Sequence, residues 1–108
     1  DEDSAQTILD NAKLLDSLGV SILVLECVPS DLAKSITNTI KIPTIGIGEG
    51  KEGDGQVLVS YDMLGISLGK QQRFVRNFLN TENTITAAVK AFVSEVKKGN
   101  FPAQSESY

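Results

Sequence analysis

The sequence has no histidine, no tryptophan and a single cysteine, and these absences limit its chemistry. Without histidine the chain cannot supply a Ser-His-Asp or Cys-His arrangement for nucleophilic catalysis. With Cys27 as the only cysteine, an internal disulfide and a structural zinc site are both excluded. Any chemistry must therefore use carboxylates, lysine, backbone groups or residues supplied by another segment.

Basic residues and long apolar runs are also scarce. Ten Lys plus Arg against fourteen Asp plus Glu give a net charge of -4, so no basic stripe is available for nucleic acid. The longest apolar stretch, residues 22–28, is interrupted by Glu26 and is far too short to span a bilayer. The first residues show no secretory signal pattern, and a lone cysteine suits a reducing compartment. We expect a cytoplasmic protein with neither nucleic acid nor membrane as a partner.

The apolar periodicity predicts an α/β domain over residues 1–102, followed by a frayed tail at residues 103–108. Helices are predicted at residues 5–18, 30–40 and 85–96. A further short helix is predicted after Gly69, with one side formed by Phe74, Val75, Phe78 and Leu79.

Three apolar runs predict strands at residues 20–28, 44–48 and 56–59, the first of them buried on both faces. Strand, helix and strand with short connections make a βαβ unit, so we expect the strands to be parallel. Three parallel strands form an incomplete sheet, because such strands need covered faces and paired edges. The organisation thus indicates part of a larger barrel or open sheet.

Glu26 is the candidate catalytic residue. It interrupts a buried apolar strand near its C-terminal end, where active-site groups gather in parallel α/β folds. Burial there should raise the pKa of the carboxyl and make it a better general base near neutral pH. The alternative is a structural ion pair between Glu26 and a neighbouring Lys or Arg.

The glycine-rich stretch at residues 46–55 matches neither common phosphate-binding motif. A dinucleotide fingerprint needs glycine where Lys51 stands, and a P-loop needs Ser or Thr where Glu52 stands. The remaining alternatives are a loop whose backbone approaches a ligand closely and a simple flexible turn, of which the pattern favours the turn.

Several linked segments together closely resemble the ketopantoate hydroxymethyltransferase family. They are LVLECVP at 23–29, IPTIGIG at 42–48 and DGQVLV at 54–59, followed by DMLG at 62–65, FVRNFL at 74–79 and AAV at 87–89. The resemblance covers essentially the whole chain. It implies a (β/α)₈ TIM barrel of the phosphoenolpyruvate/pyruvate superfamily type, of which this chain supplies the last strands and closing helices.

The resemblance also implies a reaction and partners. The family transfers a hydroxymethyl group from 5,10-methylenetetrahydrofolate to the 2-oxo acid 3-methyl-2-oxobutanoate, giving 2-dehydropantoate in pantothenate biosynthesis. A Mg²⁺ ion polarises the carbonyl of the 2-oxo acid. Its ligands belong to the N-terminal part of the barrel, without which we expect this chain to be inactive. Family members are homo-oligomers, typically decamers.

The family's proton-abstracting glutamate lies in its LECVP motif, which implies Glu26 as the base. Ile47, Val57 and Val59 are candidates for lining the pocket around the substrate's isopropyl group, with core packing as the alternative. The chain departs from the family at Glu49, where alanine is usual, and at Tyr61, where histidine is usual. Glu49 would add a negative charge near the path of an acidic cofactor.

Two other functions compete with this interpretation. One is a related carbon–carbon lyase of the same superfamily that acts on another 2-oxo acid. The other is a non-catalytic metabolite-binding or assembly domain in which Glu26 is ion-paired.

Overall fold

The computed structural model describes residues 1–108, which fold into four α-helices and three short strands. The elements are α1 (Glu2–Ser17), β1 (Leu23–Glu26), α2 (Ser30–Thr39), β2 (Thr44–Ile47), β3 (Gly55–Gln56), α3 (Ser60–Met63) and α4 (Ile85–Lys97), with 3₁₀-helices at Phe78–Asn80 and Gln104–Glu106. None of the helices is both long enough and apolar enough to cross a bilayer.

The two longest helices begin at side chains that cap them. The Asp1 carboxylate accepts a hydrogen bond from the Ser4 amide at 2.8 Å, and the Thr84 hydroxyl accepts one from the Ala87 amide at 3.1 Å. Such caps satisfy amides that have no partner within the helix. The helices predicted at residues 5–18, 30–40 and 85–96 are confirmed by α1, α2 and α4.

The three strands form one parallel sheet in the order β1-β2-β3. In its register Leu25 pairs with Gly46, and Gly46 pairs with Gln56. The predicted parallel βαβ unit is confirmed. The strands are shorter than predicted, because β1 spans four residues and β3 only two.

The two faces of this sheet differ in what covers them. Leu25 belongs to a buried core shared with α1 and α2, whose members are Ala12, Leu25, Ala33, Ile36 and Ile40. We call this side the helix face. The opposite side, the open face, carries Val24, Glu26, Ile45, Ile47 and Val57. The prediction that the first strand is buried on both faces is therefore wrong, since Leu25 is its only buried residue.

A second core lies under α4. It contains Leu58, Met63, Val75, Phe78, Ala88 and Phe101. Phe78, Phe92 and Phe101 meet edge to face, with ring centroids 5.4–5.7 Å apart, a geometry that aromatic pairs prefer.

The prediction of a short helix after Gly69 is wrong. Residues 70–77 contain no helix, and a single 3₁₀ turn follows at Phe78–Asn80. Asn77 has an extended backbone, and its side chain accepts a hydrogen bond from the Leu79 amide, so it begins a new turn instead of continuing a helix. The apolar side chains reach the core from an irregular segment. The helix α3 was not predicted.

Residues 103–108, predicted to fray, are instead attached to the rest of the chain. The Arg76 guanidinium donates two hydrogen bonds to the Glu106 carboxylate, at 2.8 and 2.7 Å, and lies over the rings of Phe78 and Phe101. Burial alone would raise the pKa of Glu106, but hydrogen bonds from Arg76 and the Ala103 amide, with the Arg76 charge, lower it. A paired and partly buried carboxylate thus fixes the tail.

We expect Arg76→Ala to lower the stability of the protein by about 2 kcal/mol, since hydrogen bonds to charged groups contribute about 1.5–3 kcal/mol. The loss should appear as a lower thermal midpoint at pH 7. It should shrink as the pH falls through the lowered pKa of Glu106, where the carboxyl protonates in both proteins. Lys90→Ala, at an exposed lysine of α4 without an ion pair, is the control. Equal midpoints for the Arg76 variant and its parent would contradict the anchoring role.

Candidate active site

Three candidate residues lie in a row across the open face. Glu26 at the end of β1 pairs with Ile47 at the end of β2. Val57 follows the pair Gly46–Gln56, and its amide donates to the Gly46 carbonyl at 2.9 Å, which continues the parallel pairing by one residue. Neighbouring strands lie about 4.8 Å apart, so the carboxylate stands beside Ile47, with Val57 one strand further along the C-terminal edge of the sheet.

The Glu26 side chain is exposed in this chain. The predicted burial of its carboxyl is therefore wrong here, since Val24 and Val57 on the same face are also exposed. The alternative, a structural ion pair between Glu26 and a lysine or arginine, is not found either. None of the four ion pairs of the chain involves Glu26, and no lysine or arginine bonds to it.

Beside the open face, the free edge of β1 and helix α1 border a shallow apolar groove of about 250 Å³. Its lining includes Ile8, Leu15, Val24, Val28 and Glu26. Glu26 supplies the only charge among the groove's lining residues. The carboxylate therefore stands at the rim of an apolar surface.

The candidate lining residues differ in exposure. Ile47 is half-buried beside Glu26, while Val57 and Val59 are 41% and 52% exposed on either side of the buried Leu58. Neither valine belongs to a core of this chain, so core packing does not explain them. Val59 directly precedes α3, beyond the paired part of the third strand. Their contact with substrate stays a prediction.

A tight turn follows Glu26. Cys27 has a φ of 52°, a left-handed conformation that is costly for a residue with a Cβ, and its amide donates to the Ile47 carbonyl at 2.8 Å. Burial and the negative charge of Glu26 raise the pKa of the Cys27 thiol, which disfavours the nucleophilic thiolate. The turn therefore orients the chain after Glu26, and the sequence alone did not predict it.

The glycine-rich loop encloses one of its own side chains. Glu49 is fully buried, with a relative exposure of 0%. A Cβ on Gly46 would lie 1.6 Å from its Oε1 atom, and a Cβ on Gly53 would lie 2.8 Å from the same atom. These two glycines leave room for the Glu49 carboxyl, so the loop is more than the flexible turn that the pattern favoured.

The Glu49 carboxyl is incompletely satisfied. Gln56 Nε2 donates to Oε1 at 3.2 Å and to the Gly50 carbonyl at 2.7 Å, whereas Oε2 is buried without a partner. Burial raises the pKa of Glu49 from 4.5 to about 7; the Gln56 hydrogen bond lowers this pKa and the charge of Glu52 raises it. A buried carboxyl with an unpaired oxygen favours its neutral form.

Glu49 lies on the opposite side of the sheet from Glu26. Its carboxyl takes the position of a side chain on Gly46, which pairs with Leu25 on the helix face. The Glu49 carboxyl is therefore buried on the helix face, and its expected effect on an acidic cofactor stays a prediction. The other departure, Tyr61, is 63% exposed on α3.

The fit between Gly46 and Glu49 yields a double-mutant prediction. Gly46→Ala should be strongly destabilising, by about 3 kcal/mol, because the new methyl group would displace a buried carboxyl. The backbone of Gly46 is ordinary strand, so the substitution itself causes no conformational strain. Adding Glu49→Ala should recover most of the loss, as measured by thermal midpoints of the parent, both single variants and the double variant. Additive losses would show that the two positions do not share this space.

The chain holds no group of three His, Cys, Asp or Glu side chains that could bind a metal ion. Glu26 and Glu49 lie on opposite faces of the sheet, so they cannot share one ion. The residues present therefore do not fit a magnesium site by themselves.

Comparison with known proteins gives a consistent result. A profile of the ketopantoate hydroxymethyltransferase family matches residues 1–104. Curated proteins named 3-methyl-2-oxobutanoate hydroxymethyltransferase are 50% identical over 108 residues in Shewanella amazonensis and 49% over 108 residues in Buchnera aphidicola, each match covering the whole chain and 41% of the relative. The relative from Neisseria gonorrhoeae is 52% identical over 99 residues, which is 92% of the chain and 38% of that protein.

The chain thus spans about two fifths of the length of the curated relatives it matches. The family profile nevertheless covers residues that include the whole sheet and the LECVP segment with Glu26. On this match, the chain belongs to the ketopantoate hydroxymethyltransferase family.

Proposed function

We propose that this chain is the C-terminal part of a (β/α)₈ barrel that transfers a hydroxymethyl group from 5,10-methylenetetrahydrofolate to 3-methyl-2-oxobutanoate. The observation that carries the proposal is the position of Glu26. A lone carboxylate stands at the C-terminal end of a parallel strand, beside Ile47 and in the same row as Val57 on an open apolar face. In barrels of this type the C-terminal edge of the sheet carries the chemistry.

In the proposed reaction Glu26 acts as the general base. Its carboxylate removes the proton from the carbon next to the ketone, and the resulting carbanion forms a bond to the one-carbon unit. Water supplies the oxygen of the new hydroxyl group, tetrahydrofolate leaves, and the product is 2-dehydropantoate. Both carbon–nitrogen bonds of the methylene bridge break, and the proton taken by Glu26 and the two hydrogens of the water end on the new hydroxyl group and on the two freed nitrogens of tetrahydrofolate.

The apolar neighbours of Glu26 give this base its selectivity. Ile47 and Val57 match the branched hydrocarbon end of the 2-oxo acid, which must lie close to the carboxylate because the proton leaves from the branched carbon. When the rest of the barrel covers the open face, Glu26 loses water, which strengthens its carboxylate as a base. The exposure of Glu26 in this chain is what we expect if the missing part of the barrel normally packs over the open face.

The proposal includes partners outside this chain. Mg²⁺ would polarise the ketone of the bound 2-oxo acid, and its ligands would come from the N-terminal part of the barrel, because the residues present here do not form a metal site. The complete enzyme is proposed to be a cytoplasmic homo-oligomer, and this chain to be inactive without its N-terminal partner segment.

The test is tetrahydrofolate formation from 3-methyl-2-oxobutanoate and 5,10-methylenetetrahydrofolate with Mg²⁺. It compares this chain alone with the full-length protein that contains it. Activity in the full-length protein only is the expected result. No activity in either sample, with turnover of another 2-oxo acid in a substrate panel, would replace the proposal with a carbon–carbon lyase. Binding of the 2-oxo acid without turnover of any substrate would favour a non-catalytic role.

A further inference from the structure

The last residues of the chain cross the edge of the sheet at which Glu26 lies. The Tyr108 amide donates to the Gly48 carbonyl, directly after β2, at 3.1 Å. The main-chain oxygen of Tyr108 accepts two hydrogen bonds from Ser30, from its amide at 2.9 Å and from its hydroxyl at 2.7 Å. One tail residue thus joins the end of β2 to the first residue of α2.

These contacts enclose the short connection that follows Glu26. Residues 27–29 link the end of β1 to Ser30, so the connection lies between two anchored points. At one end Cys27 donates to Ile47, and at the other Ser30 donates to Tyr108. The costly left-handed backbone of Cys27 is therefore held from both sides.

Side chains add a second line of contact between the tail and the turn. The centroid of the Tyr108 ring lies 6.4 Å from that of the Phe74 ring. The Arg73 guanidinium lies over the Tyr108 ring, 5.6 Å from its centroid. Phe74 and the Cys27 sulfur both approach Gly48 so closely that a Cβ there would lie 3.0 Å from one and 3.2 Å from the other. Any shift of Tyr108 and Phe74 therefore bears on the Cys27 turn.

The tail is also fixed at its other end. Glu106 is bound by Arg76, whose Nη2 also donates to the Asn100 carbonyl, and Arg73 donates to the Ser105 carbonyl at 3.0 Å. Residues 104–108 thus form a strap, anchored to Arg73 and Arg76 at one end and to Gly48 and Ser30 at the other.

We propose that this strap, residues 104–108, positions Glu26 for catalysis, with Ser30 and Tyr108 as the positioning residues. The inference rests on the proposed function of Glu26 as a base. Without the strap the two Ser30 donors lose their acceptor, and the turn at Cys27 can relax to an ordinary backbone conformation. Because a base must lie within hydrogen-bond reach of the proton it removes, a displacement of about 1 Å costs roughly 10²-fold in rate.

The test uses the full-length protein with residues 104–108 deleted. We expect kcat for tetrahydrofolate formation to fall roughly 10²-fold while KM for 3-methyl-2-oxobutanoate changes less than about threefold, since Glu26 acts on the transition state. Ser30→Ala, which removes one of the two Ser30 hydrogen bonds, should lower kcat about 3- to 10-fold. The matched control is Ser35→Ala on the same helix, where the hydroxyl bonds only the Asp31 carbonyl, and kcat should not change.

A second background separates positioning from general loosening of the fold. In Glu26→Gln protein, deletion of the strap should lower the residual kcat by less than about threefold, because the group it positions is already absent. Hydrogen exchange of the peptide covering residues 23–32 should become faster on deletion. Equal losses in both backgrounds, or no loss in either, would overturn the proposal. An inactive parent protein would instead overturn the proposed function. If hydrogen exchange at residues 23–32 were then also unchanged by the deletion, the strap would not hold the connection after Glu26.

Discussion

Replacing Glu26 with glutamine in the full-length protein should lower kcat by roughly 10²- to 10⁴-fold, the usual contribution of a general base. Glutamine has nearly the same shape and no basic oxygen, so substrate binding should persist. KM for 3-methyl-2-oxobutanoate should therefore change little, which identifies a lost transition-state interaction. The measurement is steady-state tetrahydrofolate formation at several pH values.

A partial reaction makes this prediction sharper. If Glu26 removes the proton next to the ketone, the parent protein should exchange that proton with deuterated solvent, as followed by NMR of 3-methyl-2-oxobutanoate. Glu26→Gln should lose exchange and turnover together. Glu52→Gln, at an exposed loop carboxylate paired with Lys34, is the control and should keep both. Full exchange in the Glu26 variant would remove this residue from the proton transfer.

The position of Glu26 could be predicted because it depends on local pattern. A charged residue in an apolar run, followed by Pro29 and a helix, marks the end of a parallel strand, and the register with β2 agrees. Its exposure could not be predicted in the same way. Burial depends on what covers the open face, and no pattern within these residues describes that cover.

The tail and the glycine-rich loop show a second limit. Arg76 and Glu106 lie 30 residues apart in sequence, so their hydrogen bonds follow from the arrangement of the core under α4. Polar residues near a chain end predict fraying when no distant partner is known. In the loop, the glycine spacing indicates a flexible backbone. In the structure, Gly46 is needed for another reason: a Cβ there would overlap the Glu49 side chain, which folds back on it.

The segment between α3 and α4 shows the same limit for secondary structure. Phe74, Val75, Phe78 and Leu79 have helical spacing, yet spacing records only that these residues share a side of the chain. The extended Asn77 and the separate contacts of Phe74 with Tyr108 place them in the core by another route. Tertiary contacts therefore override the local pattern there.

The second prediction concerns Glu49, whose titration should make the stability of the protein depend on pH. Its pKa is raised from 4.5 to about 7 in the folded chain, so the folded protein keeps a proton that the unfolded protein has released between these values. The contribution of Glu49 to the free energy of unfolding should therefore be full below pH 4.5, fall as the pH rises from 4.5 to about 7, and then level off. The size of this loss is at most about 3 kcal/mol.

Glu49→Gln removes the titration while keeping the shape of the side chain and its contact with Gln56. The variant should match its parent near pH 5 and exceed it by several degrees in thermal midpoint at pH 8, because only the parent must bury a charge there. Glu106 titrates in both proteins and with the opposite sign, so it cancels in the difference. Glu52→Gln should give a much smaller change, since this carboxylate is exposed and acts on Glu49 only through its charge. A midpoint difference that is constant from pH 5 to 8 would mean that Glu49 does not titrate in this range, and the unpaired Oε2 atom would then need another explanation.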